Sequence, residues 1–448
     1  MGGRYRIVAS CFIASLLLFG GALAAGTART ADDRDAAPAA VWEPKGSDWP
    51  TIHHGNDRTG TTDSPMSMLL ANLKWSVKTG NQVISSPAVA TFTASGGGFN
   101  IAGAKVLVGS NDGRMYCIDG KTGNVMWRYQ APAAITSSPS VGDINGDGGA
   151  EVVFGCDDGR VYALAGANGA LLWRHTTRDA IHCSPALADL DGDGVPEAVI
   201  GGPDGTVFAF EGDGSLLWSA AVYDGIAIDT PPAVADINGD GLPEVVVRGR
   251  LDDTFALRAI DGGLIWTHET DFSTHWYGSD TDGPVAADLD GDGKTEVLQT
   301  TGVNETTCLA GTYGYMEWKH EYQGTTLSSL SVGDADRDGV REIYFTTTDN
   351  NIVCANGTTG ETRWVRNFPS PAFSSPALAD LDGDGRLEVV FGGMDRIMHC
   401  LDAEDGTPRW AFPCPKGIKS SPAIADLDGD GRAEVVFGCL DSRVYALD

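Results

Sequence analysis

Four short apolar segments recur along most of the chain, each bounded by residues that favour turns. In the clearest copy they are 374–379, 389–392, 397–401 and 408–410. Segments of this length, with turn signals about every ten residues, predict β-strands. A four-stranded unit that repeats every 46 to 52 residues is typical of a β-propeller blade.

Two independent series count the blades. Strand-opening segments such as Ser374-Ser375-Pro376 occur eight times, and a tryptophan near the last strand also occurs eight times. The series are out of phase, because the chain begins with a tryptophan strand and stops without one. The sequence therefore predicts an all-β, eight-bladed propeller in which the N-terminal strand closes the last blade and leaves no open edge. The tryptophans are Trp75, Trp127, Trp173, Trp218, Trp266, Trp318, Trp364 and Trp410.

An acidic nonapeptide separates the first two strands of seven of the eight units. The copy from Asp380 to Glu388 places acids at positions 1, 3, 5 and 9, with glycines between them. Ca²⁺ takes six to eight oxygen ligands, and the glycines allow the sharp turn that brings carboxylates together. The acid at position 9, directly before an apolar strand, distinguishes the loop from an EF-hand.

The sequence thus predicts up to seven calcium sites, which we call the first to seventh acidic loops. Their predicted ligands are Asp143, Asn145, Asp147 and Glu151; Asp189, Asp191, Asp193 and Glu197; Asp236, Asn238, Asp240 and Glu244; Asp288, Asp290, Asp292 and Glu296; Asp334, Asp336, Asp338 and Glu342; Asp380, Asp382, Asp384 and Glu388; and Asp426, Asp428, Asp430 and Glu434.

These motifs resemble two repeat families. The segment from Cys117 to Trp127 is similar to the tryptophan-docking motif of pyrroloquinoline-quinone-like (PQQ-like) propellers, and Asp48-Trp49-Pro50 points the same way. The acidic loops resemble the FG-GAP or VCBS repeats of integrin-type propellers, a likeness that implies calcium at positions 1, 3, 5 and 9. These families include enzymes, assembly factors and adhesion modules, so the resemblance implies a fold more firmly than a function.

The composition agrees with metal binding. Of 61 acidic residues, 26 occupy predicted ligand positions, and the remaining 35 nearly balance 31 lysines and arginines. The formal charge of −30 therefore indicates metal sites and no particular basic partner. The sequence also lacks the basic patch that nucleic-acid binding requires.

The chain start predicts export. Residues 1–24 combine Arg4 and Arg6 with an apolar core and a small-residue exit, as in a cleaved secretory signal peptide. Residues 25–41 form a small, polar linker, and 42–448 form the propeller. No later segment is long and apolar enough to span a membrane. We expect a secreted, periplasmic or cell-surface protein, and a monomer.

Function is expected where a unit departs from the repeat. The first blade lacks an acidic loop, and Arg337 replaces a glycine in the fifth. On the face opposite the acidic loops, connections between blades carry polar and aromatic residues close to the axis. The predicted ligand-binding residues are His182, Asp229, His275, Trp276, Tyr277, Asp280 and Lys419. Trp276 and Tyr277 could equally well plug the channel.

Enzyme functions remain alternatives. PQQ-dependent dehydrogenases use a calcium-bound quinone and, in many members, a vicinal cysteine pair, but no Cys-Cys occurs here. PQQ is therefore not expected. Rhamnogalacturonan lyases with calcium-rich propellers are a second alternative. We predict instead a non-catalytic binding or scaffolding module for a protein or polysaccharide, with no catalytic residues.

The cysteines allow two interpretations. Nine occur, and eight remain after the predicted signal, an even number that permits disulfides. Equivalent third-strand cysteines in adjacent blades should diverge too far to bridge, so we interpret them as packing residues. Cys183 and Cys414, on connections between blades, are better placed to pair.

Overall fold

Thirty-two β-strands make up the regular secondary structure of the residues that the structure describes. The computed structural model describes residues 71–92, 103–270, 283–301, 304–326 and 328–448. The predicted signal peptide and linker lie outside these ranges and stay predictions. Among the described residues, no helix is long and apolar enough to cross a membrane.

The strands form eight four-stranded antiparallel sheets, one per blade. Strand β1 (Leu73–Lys78) comes first in the chain but belongs to blade 8. Blade 1 holds β2 (Ala88–Phe92), β3 (Gly103–Gly109), β4 (Arg114–Asp119) and β5 (Val125–Gln130); blade 2, β6 (Ser140–Gly142), β7 (Glu151–Cys156), β8 (Arg160–Ala165) and β9 (Leu171–Thr176); blade 3, β10 (Ala186–Ala188), β11 (Glu197–Gly201), β12 (Thr206–Phe210) and β13 (Leu216–Ala221); blade 4, β14 (Ala233–Ala235), β15 (Glu244–Arg248), β16 (Thr254–Arg258) and β17 (Leu264–His268).

The remaining blades follow the same plan. Blade 5 holds β18 (Val285–Ala287), β19 (Glu296–Thr300), β20 (Glu305–Ala310) and β21 (Met316–Glu321); blade 6, β22 (Ser331–Gly333), β23 (Glu342–Thr346), β24 (Asn351–Asn356) and β25 (Thr362–Asn367); blade 7, β26 (Ala377–Ala379), β27 (Glu388–Gly392), β28 (Ile397–Asp402) and β29 (Pro408–Pro413); blade 8, β30 (Ala423–Ala425), β31 (Glu434–Cys439) and β32 (Arg443–Leu447).

The ends of the chain close the ring as predicted. Strand β1 pairs antiparallel with β32, with Trp75 opposite Ala446 and Val77 opposite Val444, and becomes the outermost strand of blade 8. The first strand of each sheet is the innermost, since it contacts the first strands of neighbouring blades. The predicted fold class is therefore confirmed.

A belt of hydrogen bonds joins blades near the axis. The backbone N–H of Ser86 donates to Oγ of Ser138, and that of Ser138 donates to Oγ of Ser184, both at 2.9 Å. Ser375 donates to Ser421 at 3.0 Å, and Ser421 donates to Ser86 at 2.9 Å. The last bond links blade 8 to blade 1, so the strand-opening serines also hold the closure.

Seven of the eight docking tryptophans join their blade to the next through a hydrogen bond. In seven cases the indole N–H donates to a backbone carbonyl just after the third strand of the following blade, at 2.6 to 3.0 Å. These acceptors are Gly120, Gly166, Gly212, Ala259, Gly311, Gly357 and Ala403. Buried apolar side chains of adjacent sheets pack between them, as in the cluster that joins Val153 and Val161 to Leu187 and Ala198.

We expect Gly212→Ala to destabilise the protein, because an added Cβ would lie 1.6 Å from the carbonyl oxygen of Ile144. Overpacking of this kind costs about 1–3 kcal/mol, and the free energy of unfolding measured with urea checks it. Ala403→Gly is the matched control, since blade 7 already accepts alanine at the equivalent position. A loss no larger for Gly212→Ala than for Ala403→Gly would contradict this prediction.

All eight described cysteines are buried and free. The third-strand residues Cys117, Cys308, Cys354 and Cys400 serve packing, as predicted. The thiol of Cys183 replaces a serine of the strand-opening series and accepts a hydrogen bond from Gly201 N–H at 3.2 Å.

Candidate metal centres

Each acidic loop is shaped by hydrogen bonds between its own aspartates and its backbone. In the second loop, Asp189 accepts from the N–H groups of Gly192 (2.7 Å) and Gly194 (3.0 Å). Asp193 accepts from Val195 N–H at 2.8 Å. Both glycines have positive φ, 83° and 90°, a conformation that suits glycine. The turn is thus shaped by hydrogen bonds within the loop itself.

The position-9 glutamate anchors the loop to the second strand of the blade. One carboxylate oxygen of Glu197 accepts from the backbone N–H of Leu190 (2.7 Å), and Leu190 is buried in the core. The same bond recurs in all seven loops at 2.7 to 3.1 Å. It employs only one of the two oxygens of each carboxylate.

The carboxylates converge in five of the seven loops. In the second, fourth, fifth and sixth loops, oxygens at positions 1, 3 and 9 lie within 4.8 Å of one another. In the seventh loop the converging residues are Asp426, Asp428 and Asp430. In the first and third loops, position 3 is Asn145 or Asn238. The Nδ2 of Asn238 donates to Glu244 at 2.7 Å, an orientation that a bound cation would reverse.

The sixth loop gives the most direct test of whether these residues fit a cation. Glu388 is only 2% exposed, and its Oε1 is buried without a hydrogen-bond partner among the described residues. Its other oxygen accepts from Leu381 N–H at 2.8 Å. A buried carboxylate oxygen without a partner is costly, and a hard cation would satisfy it. The residues fit Ca²⁺, which remains a proposal.

Burial raises the pKa values of the position-9 glutamates above their ordinary value of 4.5. Burial raises the pKa of Glu151 to about 8, and repulsion from Asp147 and Asp143 adds to the shift. Burial likewise raises the pKa of each of the other six glutamates to about 7. A bound cation would favour the ionised carboxylates.

The two departures from the repeat have structural consequences. Arg337 in the fifth loop adopts φ 60°, the left-handed conformation that glycine adopts elsewhere. In blade 1, which lacks an acidic loop, Lys105 pairs with Ala90 just as Glu151 pairs with Gly142 in blade 2. A buried lysine thus takes the place of the position-9 glutamate, with Nζ 3.1 Å from Asp119.

A polar cavity of about 550 Å³ lies between blade 1 and the seventh acidic loop. Lys105, Asp119 and Lys121 line one side, and Asp426 and Asp428 line the other. Neither lysine is among the functional residues predicted from the sequence. Alignment of the second strands would have found Lys105, since glutamate occupies this register in the other blades.

Three of the predicted ligand residues of the opposite face lie in the described ranges, and each of these three has a local partner. His182 lies 3.6 Å from Asp157, Asp229 forms an ion pair with Arg250, and the Lys419 ammonium lies 4.9 Å from the ring centre of Phe373. Asp157 and Arg250 lie on turns within blades 2 and 4, and Phe373 lies on the connection between blades 6 and 7. His275, Trp276, Tyr277 and Asp280 lie outside the described residues, and their role stays a prediction.

Fold and loops together define an eight-bladed β-propeller with acidic loops that could hold metal ions. Residues 72–251 match the family described as outer membrane protein assembly factor BamB, and residues 236–298, 334–391 and 380–437 match the FG-GAP-like repeat. These matches confirm the resemblance to PQQ-like and FG-GAP-like repeats over the residues that they cover. No curated protein matches the sequence.

Several solved structures share this fold. A europium-containing methanol dehydrogenase is 13% identical, with a TM-score of 0.71, and the match covers 90% of this chain and 98% of that one. Quinohemoprotein alcohol dehydrogenase from Comamonas testosteroni is 14% identical, with a TM-score of 0.68 and coverage of 90% and 80%. BamB from Moraxella catarrhalis is 15% identical, with a TM-score of 0.59 and coverage of 85% and 100%. Such identities establish the fold alone.

Proposed function

We propose that this protein is an exported, calcium-stabilised β-propeller that binds a protein partner and catalyses no reaction. The observation that carries the proposal is an exposed apolar surface along the outermost strands of blades 1 to 5. Leu172, Leu264 and Met316 on this surface are 44%, 57% and 52% exposed. We call it the apolar rim; it consists of Val125, Met126, Leu171, Leu172, Leu216, Leu264, Ile265 and Met316.

The rim occupies one register position around the propeller. Its members stand one or two residues before the docking tryptophan of their blade. At the residue directly before that tryptophan, blades 6 to 8 carry Arg363, Arg409 and Lys74 instead, although Leu73, two residues before Trp75 in blade 8, is also 50% exposed. Scattered apolar residues are common on protein surfaces, but a series repeated over five adjacent blades favours a protein-binding surface.

The opposite face is a weaker candidate for this role. His182, Asp229 and Lys419 already contact a neighbouring charged or aromatic residue. A polysaccharide ligand would favour that face, because sugars are bound through polar groups and aromatic rings. The rim is apolar and therefore suits the side chains of a protein.

The calcium part of the proposal is supported by the converging carboxylates and by the unpartnered oxygen of Glu388. In each loop the cation would join the position-1 and position-3 side chains to the position-9 glutamate that begins the next strand. Its role here is structural. Export is supported by the predicted signal peptide and by the match to a family described as an outer membrane assembly factor.

Site-specific crosslinking tests the protein-binding rim. A photoreactive phenylalanine analogue at Leu172 is expected to capture one protein species at least ten times more efficiently than the same group at Val365. Val365 is 45% exposed on the outermost strand of blade 6, outside the rim, and serves as the control.

The captured protein must then bind the rim in purified form. Leu172→Asp is expected to raise its Kd at least tenfold, about 1.4 kcal/mol, because a charge would enter an apolar interface. Equal binding by wild type and Leu172→Asp would contradict the proposal that the partner binds to the apolar rim. Dye reduction after addition of PQQ and calcium, or unsaturated products from pectic polymers, would support an enzyme instead.

A further inference from the structure

Side chains of the outermost strands supply positive charge to some acidic loops. The relevant residue stands directly before the docking tryptophan. It is apolar in the blades of the first three acidic loops, as Leu172, Leu217 and Ile265. In the fourth it is Glu317, whose negative charge acts on Glu296. In the fifth, sixth and seventh it is Arg363, Arg409 and Lys74.

Lys74 enters the seventh acidic loop. Its ammonium donates to Oδ2 of Asp428 at 2.8 Å and to Oε1 of Glu434 at 2.7 Å. These are the position-3 and position-9 carboxylates, the same groups that a cation would need. Asp448 lies 3.6 Å away. Glu434 is also absent from the converging carboxylates of this loop, unlike its equivalents in four others.

Arg363 occupies the fifth acidic loop in the same manner. Its guanidinium forms an ion pair with Asp336 at position 3 and lies 3.4 Å from Asp338 and 3.0 Å from Glu342. Three of the four predicted ligands therefore contact one side-chain cation. The fifth loop is also the one in which Arg337 replaces a glycine.

Arg409 shows that a cation at this register does not by itself fill a loop. Its guanidinium pairs with Asp402 at 2.6 Å and stays 4.0 Å from Asp382 in the sixth loop. Asp402 lies on the adjacent strand and draws the charge away. Oε1 of Glu388 and Oε1 of Glu342 are both buried without a hydrogen bond among the described residues, but only that of Glu342 has a side-chain cation beside it, the Arg363 guanidinium at 3.0 Å.

We propose that Lys74 and Arg363 act as built-in cations in the seventh and fifth acidic loops. Calcium then binds to the first, second, third, fourth and sixth loops. A divalent ion needs the same oxygens at about 2.3–2.6 Å, and a second positive charge at that distance from an ammonium or guanidinium would be strongly repelled. The inference rests on the proposed calcium function. Lys105 in blade 1, which takes the place of a position-9 glutamate, is a further example of a lysine where the other blades have a predicted metal site.

Counting bound calcium tests the inference. Equilibrium dialysis against labelled calcium is expected to show one more ion per chain in Arg363→Met than in wild type, one more in Lys74→Met, and two more in the double variant. Leu172→Lys, which would introduce a cation at the first loop, is expected to bind one fewer. Circular dichroism confirms that each variant is folded.

Arg366→Met is the matched control. Arg366 lies on the same strand as Arg363 but donates to the backbone carbonyls of Asp405 and Gly406, so its removal should leave the count unchanged. If Lys74→Met fails to fold, Arg363→Met decides alone. An unchanged count in Arg363→Met, or seven ions in wild type, overturns the inference but leaves the proposal that calcium stabilises the acidic loops intact. If neither the wild type nor any variant binds calcium, both the proposed calcium stabilisation and the inference are overturned.

Discussion

Excess EDTA is expected to lower the melting temperature of the protein by about 2–14 °C relative to a sample in millimolar calcium. If each site binds calcium with a Kd of about 10⁻⁴–10⁻³ M, the ion contributes roughly 0.4–1.4 kcal/mol per site. Five sites contribute roughly 2–7 kcal/mol together, and about 1–2 °C per kcal/mol is expected for a domain of this size. Differential scanning calorimetry measures the shift.

Glu388→Gln should reduce the EDTA-sensitive part of this shift by about a fifth, because it removes one charged ligand from one of five equal sites. The amide oxygen can still accept from Leu381 N–H, so the loop keeps its internal bond. Glu361→Gln, an exposed acid outside the loops, is the control. A melting temperature that EDTA leaves unchanged in the wild-type protein would contradict the proposal that calcium stabilises the acidic loops.

The repeat made the fold predictable from sequence. Each blade restates the same alternation of strands and turns, so an error in one copy is corrected by the others. Closure by the first strand was predicted because the tryptophan series starts before the strand-opening series and the chain stops without a last tryptophan strand. The pairing of Trp75 with Ala446 confirms it. Both depend on local pattern, which is the information that sequence periodicity contains.

The side-chain cations of the loops could not be predicted in the same way. Lys74 and Asp428 are 354 residues apart and meet only because the ring closes. Arg363 and Arg409 share one register position, yet Asp402 holds only Arg409 away from its loop. That difference depends on a neighbour across the sheet, which a reading along one strand does not identify.

The residues of the apolar rim could not be recognised from the sequence as an exposed surface. Leu171 and Leu172 read as ordinary strand residues, since half of a strand's side chains face a core in most sheets. Only the ring shows that this strand is outermost and that its apolar pair faces solvent. Fold-level knowledge was therefore needed before exposure could indicate a partner.

Without calcium, the stability of the folded protein should fall as the pH rises. In EDTA, the protein is expected to melt about 5–10 °C higher near pH 5.5 than near pH 8. The position-9 glutamates have an ordinary pKa of 4.5 in the unfolded chain, and burial raises it to about 7, or about 8 for Glu151, in the folded protein. Between these values the folded state holds more protons, so stability falls as pH rises.

Calcium should abolish this fall, since the ion stabilises the ionised glutamates that the empty loops disfavour. The calcium-dependent increment in melting temperature is therefore expected to grow from pH 5.5 towards about pH 8. His175 acts in the other direction, because burial lowers its pKa and its stabilising effect increases as pH rises towards 6.5. One histidine does not offset seven glutamates.

Glu151→Gln separates the loop glutamates from other titrating groups. In EDTA at pH 8 the variant should melt higher than wild type, because it no longer buries a carboxylate beside Asp143 and Asp147. In calcium at the same pH it should melt lower, because the first acidic loop has lost a charged ligand. A variant that melts below wild type in both buffers would show that Glu151 stabilises the blade by packing and hydrogen bonding alone, and would contradict the raised pKa as the origin of the pH dependence.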